Sequence, residues 1–285
     1  MPNAQALMAD TWSNLLKRQT GLDLAYPVRN ASWYFTRMRH EPLGCICMEE
    51  DGRMIATGFA LSCGNVGWIG PMEVSPKHQG RGCGTKLLIS LETYLASRGC
   101  EAVGLETMKD IVRNMDFYSH AGYQEEQDML FLEKDWLEGH DAGRPEARKA
   151  DLKEIRRLAS TINPGYDPSS EFLMYEEMGT GRTLMGEGAA ALLITDPIPG
   201  SGKAYIRTVL TEGYPRLNEA ISLVQRAERE ALWSGARSIF TIVPLQSDLL
   251  NHLIRGGYKP KGADVRMMKG KFNRSHECSV ISWSG

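Results

Sequence analysis

The sequence lacks a strong excess of charge of either sign. Its 33 Lys and Arg residues nearly balance 35 Asp and Glu residues, for a formal net charge of −2. Binding to nucleic acid generally depends on a basic surface, and this balance does not indicate one. No nucleic-acid partner is therefore expected.

Long apolar runs are also missing. No run approaches the roughly 18 residues that a membrane-spanning helix needs, and Met1–Gln5 do not have the basic and then apolar layout of a signal peptide. We therefore expect a cytoplasmic protein with no membrane partner.

Paired cysteine spacings are absent as well. The six cysteines include no C-x-x-C motif, and in a reducing compartment they are expected to be free thiols that pack as small apolar residues. Cys45 and Cys47 would share one face of a strand and could form half of a metal site, but no matching Cys or His pair follows. No metal is therefore predicted.

The length of the chain suits two domains. Its 285 residues allow two units of about 140 each. A polar segment with glycines around Glu138–Arg144 is predicted to be the linker. The expected domains are residues 1–138 and residues 145–285.

The first half combines helices and short strands around a glycine-rich loop. Helical spacing is found over Ala4–Lys17, Ser32–His40, Thr85–Arg98 and Asn114–His120. Alternation and turn residues predict strands at Gly44–Met48, Met54–Ser62, Val66–Val74, Ala102–Thr107 and Tyr123–Leu132, the first two joined through an Asp-Gly turn.

The second half repeats this order at low identity. Helices are predicted at Leu152–Thr161, Leu217–Ser234 and Asp248–Arg255, and strands at Ala189–Thr195, Ala204–Leu210, Ser238–Val243 and Ala263–Met268. Gly122-Tyr123 and Gly257-Tyr258 are matching landmarks. The predicted fold is α/β, with two units in tandem, each a mixed and mostly antiparallel sheet flanked by helices.

A glycine loop lies between the predicted strand ending at Val74 and the helix that follows. Gln79–Gly84 reads Gln-Gly-Arg-Gly-Cys-Gly. Glycines let successive N–H groups point into one concavity, and the helix N-terminus adds partial positive charge, so the loop suits a pyrophosphate. A dinucleotide fingerprint would need a small residue where Thr85 stands, and a Walker loop would need Gly-Lys-Ser/Thr, which Gly84-Thr85-Lys86 does not provide.

Two motifs resemble those of the GNAT acetyltransferase superfamily. Gln79–Gly84 is similar to the family's Arg/Gln-x-x-Gly-x-Gly/Ala signature, and Phe117–Tyr123 is similar to its Phe/Leu-Tyr-x-x-x-Gly-Phe/Tyr motif. The resemblance is strong over about residues 43–132. It implies acetyl-CoA as the cosubstrate and transfer of its acetyl group to a small-molecule or peptide amine.

The resemblance also implies which residues hold the cofactor. The backbone amides of Met72 and Val74, beside a bulge in their strand, would hold the pantetheine arm and the thioester carbonyl. The pyrophosphate would lie on the loop formed by Gln79, Gly80, Arg81, Gly82, Cys83, Gly84 and Thr85. The family's cofactor-contacting asparagine usually lies two turns before the tyrosine, where Ile111 stands, whereas Asn114 lies one turn before it.

Tyr118 is the candidate general acid, because the resemblance places its phenol near the sulfur, where it could protonate the departing thiolate. The alternative is an aromatic residue that packs on the sheet. Glu73 is a candidate base, although simple alternation puts it on the face opposite Met72 and Val74, and it could equally be a solvated or structural carboxylate.

Other candidates for the base have no better support from the sequence. Glu106 and His120 are both possible on residue type, and His120 is expected at the surface. Proton removal relayed by water would need no single base. The early helix also leaves little room for the family's first strand.

The second half is expected to lack a cofactor site. The matching loop falls near Glu212–Glu219, with one glycine and a proline that has no N–H to donate, and Leu253 and Leu249 stand where Tyr118 and Asn114 would be. Its acidic Glu171–Glu177 segment could shape an acceptor pocket, but a solvated helix is the favoured interpretation. A non-catalytic acyl-CoA-binding or sensor protein, and an interaction scaffold, are the alternatives to an enzyme.

Overall fold

The computed structural model describes residues 2–136, 150–212, 216–272 and 280–281. The predicted linker, Glu138–Arg144, lies outside these residues, as do Gly213–Pro215 of the second-half loop and Cys278.

The first half has two helices, three strands, and then alternating helices and strands. Its helices are α1 (Pro2–Thr20), α2 (Ala31–His40), α3 (Cys83–Ser97) and α4 (Val112–His120). Its strands are β1 (Cys45–Glu50), β2 (Arg53–Cys63), β3 (Val66–Val74), β4 (Ala102–Met108) and β5 (Gln124–Asp135). As the sequence predicts, Asp51-Gly52 joins β1 to β2, with φ of 50° and 72° as a tight hairpin turn requires.

The second half repeats the same order of elements. Its helices are α5 (Leu152–Ile162), α6 (Ser169–Glu177), α7 (Leu217–Trp233) and α8 (Asp248–Arg255). Its strands are β6 (Gly181–Gly186), β7 (Ala189–Thr195), β8 (Lys203–Thr211), β9 (Ser238–Pro244) and β10 (Lys259–Gly270), followed by a short β11 (Val280–Ile281). The sequence patterns do not predict β6 or β11, and for α6 they indicate only a possible solvated helix at Glu171–Glu177.

The described strands form one continuous sheet rather than two separate ones. Its order is β1-β2-β3-β4-β10-β5-β9-β8-β7-β6, with β11 paired to β8 outside this path. The β3–β4 and β8–β9 pairs are parallel, and the other pairs are antiparallel. The predicted mixed, mostly antiparallel sheet is therefore confirmed, but no pattern in the sequence indicated that the two halves would share it.

The two halves exchange their last strands. β10, from the second half, lies between β4 and β5, and pairs with both. β5, from the first half, lies between β10 and β9. Each half therefore completes the sheet of the other, because without β10 the strand β4 would present an unpaired edge.

Helices cover both faces of the sheet. On one face, here called the α3 face, α3 packs over β1–β3, while α7 packs over β6–β9. The opposite face, called the α1 face, carries α1 and α2 over the first half, and α5 and α6 over the second. Strand alternation assigns side chains to these faces: Leu105, Val265 and Met267 lie in the core under α3, whereas Trp68 and Met268 lie in the core under α5 and α6.

The favoured interpretation of Glu171–Glu177 as a solvated helix is wrong in part. The segment is a helix, but its apolar residues and its first carboxylate, Glu171, are buried. Glu171 is 1% exposed and lies 2.6 Å from Arg207 Nε, which is also buried. Phe172 and Tyr175 are buried beside them. A carboxylate this deeply buried usually has a charged partner. Here the partner lies on β8, too far along the chain to be inferred from the sequence.

Candidate functional site

The parallel pair β3 and β4 separates part-way along its length. The two strands pair only from Val66 to Trp68 and from Ala102 to Gly104. Beyond this point β3 continues to Val74 and β4 to Met108 with no described strand between them. The gap, here called the slot, leaves backbone groups of Met72 and Val74 on that edge without a strand partner in the described residues.

A bulge precedes the open part of β3. Gly58 pairs with Met72 and Ala60 with Ile69, so Phe59 of β2 faces two residues of β3. An extra residue of this kind bends a strand and changes the direction of its backbone groups. The bulge lies next to Met72, as the family resemblance implies.

The glycine loop lies at the end of the slot and runs directly into α3. Gly80 and Gly82 have φ of 75° and 80°, and a Cβ placed on either would meet no other atom within 4 Å. The first bond of the helix is donated by Lys86 N to Gly82 O, so the amides of Cys83, Gly84 and Thr85 precede the regular helical bonding. Open space above exposed amides is the arrangement that fits a pyrophosphate.

Gln79 connects the loop to its surroundings. Its Nε2 donates to Val74 O at 2.9 Å, and its Oε1 accepts from Arg113 Nη2 at 3.0 Å. A Cβ placed on Gly84 would lie 3.6 Å from Cζ of Phe117, so the loop backbone packs against this ring. The loop is therefore held between the end of β3 and α4, and Gln79 links these two elements through its hydrogen bonds.

Tyr118 lies on α4, on the α3 face, in an aromatic cluster. Its ring packs edge-on against Phe117 and Tyr123, with centroids 5.0 and 5.9 Å away. Burial raises the pKa of Tyr118 to about 12, so the phenol keeps its proton at neutral pH and can donate it. The packing role and the acid role are compatible in this position.

Asn114 is directed at β4. Its Nδ2 lies 3.4 Å from Thr107 Oγ1, a weak contact near the open end of the slot. The side chain is half-buried. Asn114 thus lies beside the slot, one helical turn before Tyr118.

Glu73 projects to the α1 face, away from the side chains of Met72 and Val74, as alternation predicts. It is 1% exposed, and its Oε1 accepts from Trp12 Nε1 at 3.1 Å and from Arg29 Nη1 at 3.0 Å. Trp12 in turn stacks on Tyr26. Sequence reasoning missed Trp12 and Arg29, because no motif links these residues to a strand more than 40 positions away.

The other two candidate bases differ in their surroundings. Glu106 lies on the α1 face in an ion pair with Arg266, 2.7 Å apart, with both side chains fully buried. His120 is exposed, and its ring nitrogen lies 2.6 Å from Asp116 O, so the expected surface position is confirmed.

The described residues contain no group of three or more His, Cys, Asp and Glu side chains placed to hold a metal ion. Among the described helices, none combines the length and apolar character that crossing a bilayer requires.

Comparison with known proteins agrees with this geometry. Residues 8–123 match the model of the acetyltransferase (GNAT) family. These residues form a GNAT-family domain. The match contains β1 to β4, the glycine loop, α3 and α4, and the family's chemistry is acyl transfer, in general from acetyl-CoA.

Solved structures extend the likeness in fold over nearly the whole chain. A structure from Pyrococcus horikoshii, named as a candidate acetyltransferase, is 17% identical with a TM-score of 0.70, covering 99% of this chain and 90% of that one. A GCN5-related N-acetyltransferase from Sphaerobacter thermophilus is 15% identical with a TM-score of 0.58, covering 97% and 94%. A tandem GNAT protein from the clavulanic acid biosynthesis pathway is 13% identical with a TM-score of 0.54, covering 94% of each chain.

The second half can be compared with the GNAT domain residue by residue through the strand register. Val74 pairs with Ala56 at the end of β3, and Thr211 pairs with Ala189 at the end of β8. Each of β3 and β8 contains one more residue than the strand it pairs with, in a bulge that precedes this end. Counting back two residues from Val74 and from Thr211 therefore matches Val209 with Met72. Leu253 corresponds to Tyr118, since Tyr258 N bonds to Leu253 O as Tyr123 N bonds to Tyr118 O.

At these matching positions the second half differs from the GNAT domain. Leu249 and Leu253 are buried in the apolar core under α7. β11 pairs with Thr208 and Val209, so the backbone at the counterpart of Met72 is already bonded to a strand. The connection from β8 to α7 is residues 212–216, shorter than residues 75–82 between β3 and α3.

Proposed function

We propose that the protein is an N-acetyltransferase that binds one acetyl-CoA in the first half and transfers the acetyl group to an amine. The observation that carries the proposal is the combination of the slot and the glycine loop at its end. A slot between two splayed strands suits an extended chain such as the pantetheine arm, and the loop suits the pyrophosphate attached to that arm.

The cofactor would be held mainly by backbone groups. The first amides of α3, with Gly80, Arg81 and Gly82 before them, would bind the pyrophosphate, while Met72 and Val74 would hold the pantetheine arm and the thioester carbonyl. An amide that points at this carbonyl oxygen also stabilises the negative charge that develops on it when the amine attacks. The contribution of such a donor is typically about 3 kcal/mol.

Tyr118 would act as the general acid. Because its surroundings keep the phenol protonated, it can deliver a proton to the sulfur as the carbon–sulfur bond breaks. Glu73 would instead anchor α1 and the loop before α2 on β3, through Trp12 and Arg29. This anchoring would hold α1 and the loop before α2 in place, and these elements border the side of the slot from which the amine would enter.

The second half would have no cofactor of its own. In the second half, the edge of β8 that is equivalent to the slot edge of β3 is paired with β11. Leucines occupy the positions of Tyr118 and Asn114. Leucine can neither donate a proton to a thiolate nor hydrogen-bond the pantetheine arm. Its role would be to complete the shared sheet and to border the acceptor site.

The proposal is tested by calorimetry with acetyl-CoA, followed by an assay of thiol release over a panel of amines. The panel would contain the common amino acids, spermidine, glucosamine, an aminoglycoside and a lysine peptide. Binding together with thiol release for at least one amine is expected. Binding without release for any amine would support the non-catalytic sensor, and no binding would support the interaction scaffold.

A further inference from the structure

The strand that the second half contributes to the first carries an aspartate beside the slot. Asp264 of β10 pairs with Met108, the last residue of β4, and with Met129 of β5. Trp68 pairs with Gly104 at the last paired level of β3 and β4, so Met108 and Met72 lie at nearly the same level along the two strands. Asp264 is therefore one strand beyond β4, at the height expected for the thioester.

The side chain of Asp264 lies on the α1 face. Val265 and Met267 belong to the core under α3, so alternation directs Asp264 and Arg266 to the opposite face. The glycine loop and Tyr118 both belong to the α3 face, so the cofactor occupies that side of the slot. An acceptor amine has to reach the thioester from the α1 face, where Asp264 lies.

Three acidic side chains on or near this face differ in their partners. Glu73 is held by Arg29 and Trp12, and Glu106 is held by Arg266. The carboxylate oxygens that accept from these donors already have lone pairs engaged. Asp264 is 7% exposed, and its carboxylate makes no hydrogen bond or ion pair with any described residue.

The charges around Asp264 make it a better proton acceptor. Burial and the nearby charges of Glu106 on β4 and Asp110 in the loop after β4 raise its pKa to about 7. On its own strand Arg266 is engaged by Glu106. Asp128 of β5 pairs with Val265, so its side chain lies on the α3 face and not on the face of Asp264. It is also ion-paired with Lys109.

We propose that Asp264, supplied by the second half, takes the proton from the acceptor amine, directly or through one water. This inference depends on the proposed function. The protonated amine gives one proton to the carboxylate, which passes it to solvent, and the neutral nitrogen then forms its bond to the thioester carbon. As the carbon–sulfur bond breaks, the sulfur takes a proton from Tyr118, which recovers one from the nitrogen through water.

The test compares Asp264→Asn with Asp128→Asn, a matched change at a partly exposed, ion-paired aspartate on the neighbouring strand. With the best amine of the panel, Asp264→Asn is expected to lower kcat/KM for the amine by about 100-fold at pH 8, while the Kd for acetyl-CoA changes less than twofold. The ratio of parent to variant activity should fall as the pH drops below about 7. Asp128→Asn should behave as the parent does.

A second variant distinguishes a proton acceptor from a residue that only supports the fold. In Asp264→Ala, added formate is expected to restore part of the lost rate, since a small carboxylate can occupy the vacated space. A loss of less than twofold in Asp264→Asn, a constant ratio across pH, or no rescue by formate in a folded Asp264→Ala would overturn the proposal. If the parent protein acetylates no amine, the proposed function fails instead.

Discussion

Lys269 Nζ lies 3.0 Å from Glu92 Oε1, and the contact joins β10 of the second half to α3 of the first. The same ammonium lies 5.7 Å from the centre of the Tyr123 ring. A matching set joins the halves in the other direction: Lys134 Nζ of β5 lies 3.0 Å from Glu228 Oε2 of α7 and 5.6 Å from the ring centre of Tyr258.

These two sets relate the halves by approximate twofold symmetry. In each, the exchanged strand supplies a lysine, the long helix of the other half supplies a glutamate, and the tyrosine follows the glycine that ends α4 or α8. Partly exposed ion pairs contribute little to stability, typically below about 1 kcal/mol. Their value here is that they identify equivalent positions in the two halves.

The strand exchange predicts that the first half does not function alone. Residues 1–138 expressed without the second half would leave β4 and β5 without β10 between them, and unpaired strand edges favour aggregation. We expect this fragment to be insoluble or unable to bind acetyl-CoA in calorimetry. Co-expression with residues 145–285 should restore a soluble, binding-competent complex, and a monomeric fragment that binds acetyl-CoA normally would contradict this expectation.

Gly82→Asp is predicted to abolish acetyl-CoA binding without unfolding the protein. The added carboxylate would stand in the open space above the loop and repel the pyrophosphate. The matched control is Gly99→Asp, at a glycine with similar φ and equally open surroundings beyond the other end of α3. Calorimetry should show lost binding only for Gly82→Asp, and normal affinity in a folded Gly82→Asp protein would refute the loop assignment.

Tyr118→Phe is predicted to lower kcat by about 100-fold with little change in acetyl-CoA affinity, if the phenol is the general acid. Because burial raises the pKa of Tyr118 to about 12, activity should show no loss attributable to this phenol up to about pH 10. Tyr94→Phe removes a hydroxyl that binds Glu41 and serves as the control. A decrease within twofold would mean that Tyr118 only packs.

Acetyl-CoA is predicted to saturate at one equivalent per chain. The counterpart of Met72 is bonded to β11, and Leu253 replaces the phenol, so the second half offers neither a free slot edge nor an acid. Isothermal titration of the purified chain measures this stoichiometry directly. Two equivalents, or a crystal structure with a cofactor at the N-terminus of α7, would reverse the roles assigned to the two halves.

Asp264 is predicted to make stability depend on pH. Its folded pKa, raised to about 7 by burial and by Glu106 and Asp110, exceeds the unfolded value, so its contribution is complete below about pH 4 and is lost as the pH rises to about 7. Asn imitates the protonated form, so Asp264→Asn should be more stable than the parent at pH 8 by about 2–4 kcal/mol. Urea unfolding at pH 5 and pH 8 checks this, and a stability difference that does not grow with pH would exclude the shift.

Local patterns in the sequence determined much of the fold. The glycine loop, the apolar stripe of α3 and the Asp-Gly turn depend on residues close together in the chain, and β3, β7 and α8 have the predicted bounds. The face of Glu73 also followed from alternation alone. These features have short-range causes, namely backbone preference and the periods of strand and helix.

Only the tertiary structure decided which strands meet and which charges are paired. The place of β10 between β4 and β5, the contact of Glu171 with Arg207, and the position of Asp264 beside the slot all join residues far apart in sequence. An exchanged strand has the same alternation of apolar and polar residues as a strand that pairs within its own half. The pattern therefore does not indicate which strand it pairs with. The sequence could therefore locate the glycine loop that we propose holds the cofactor. The candidate base and the proposed role of the second half depended instead on the pairing of distant strands.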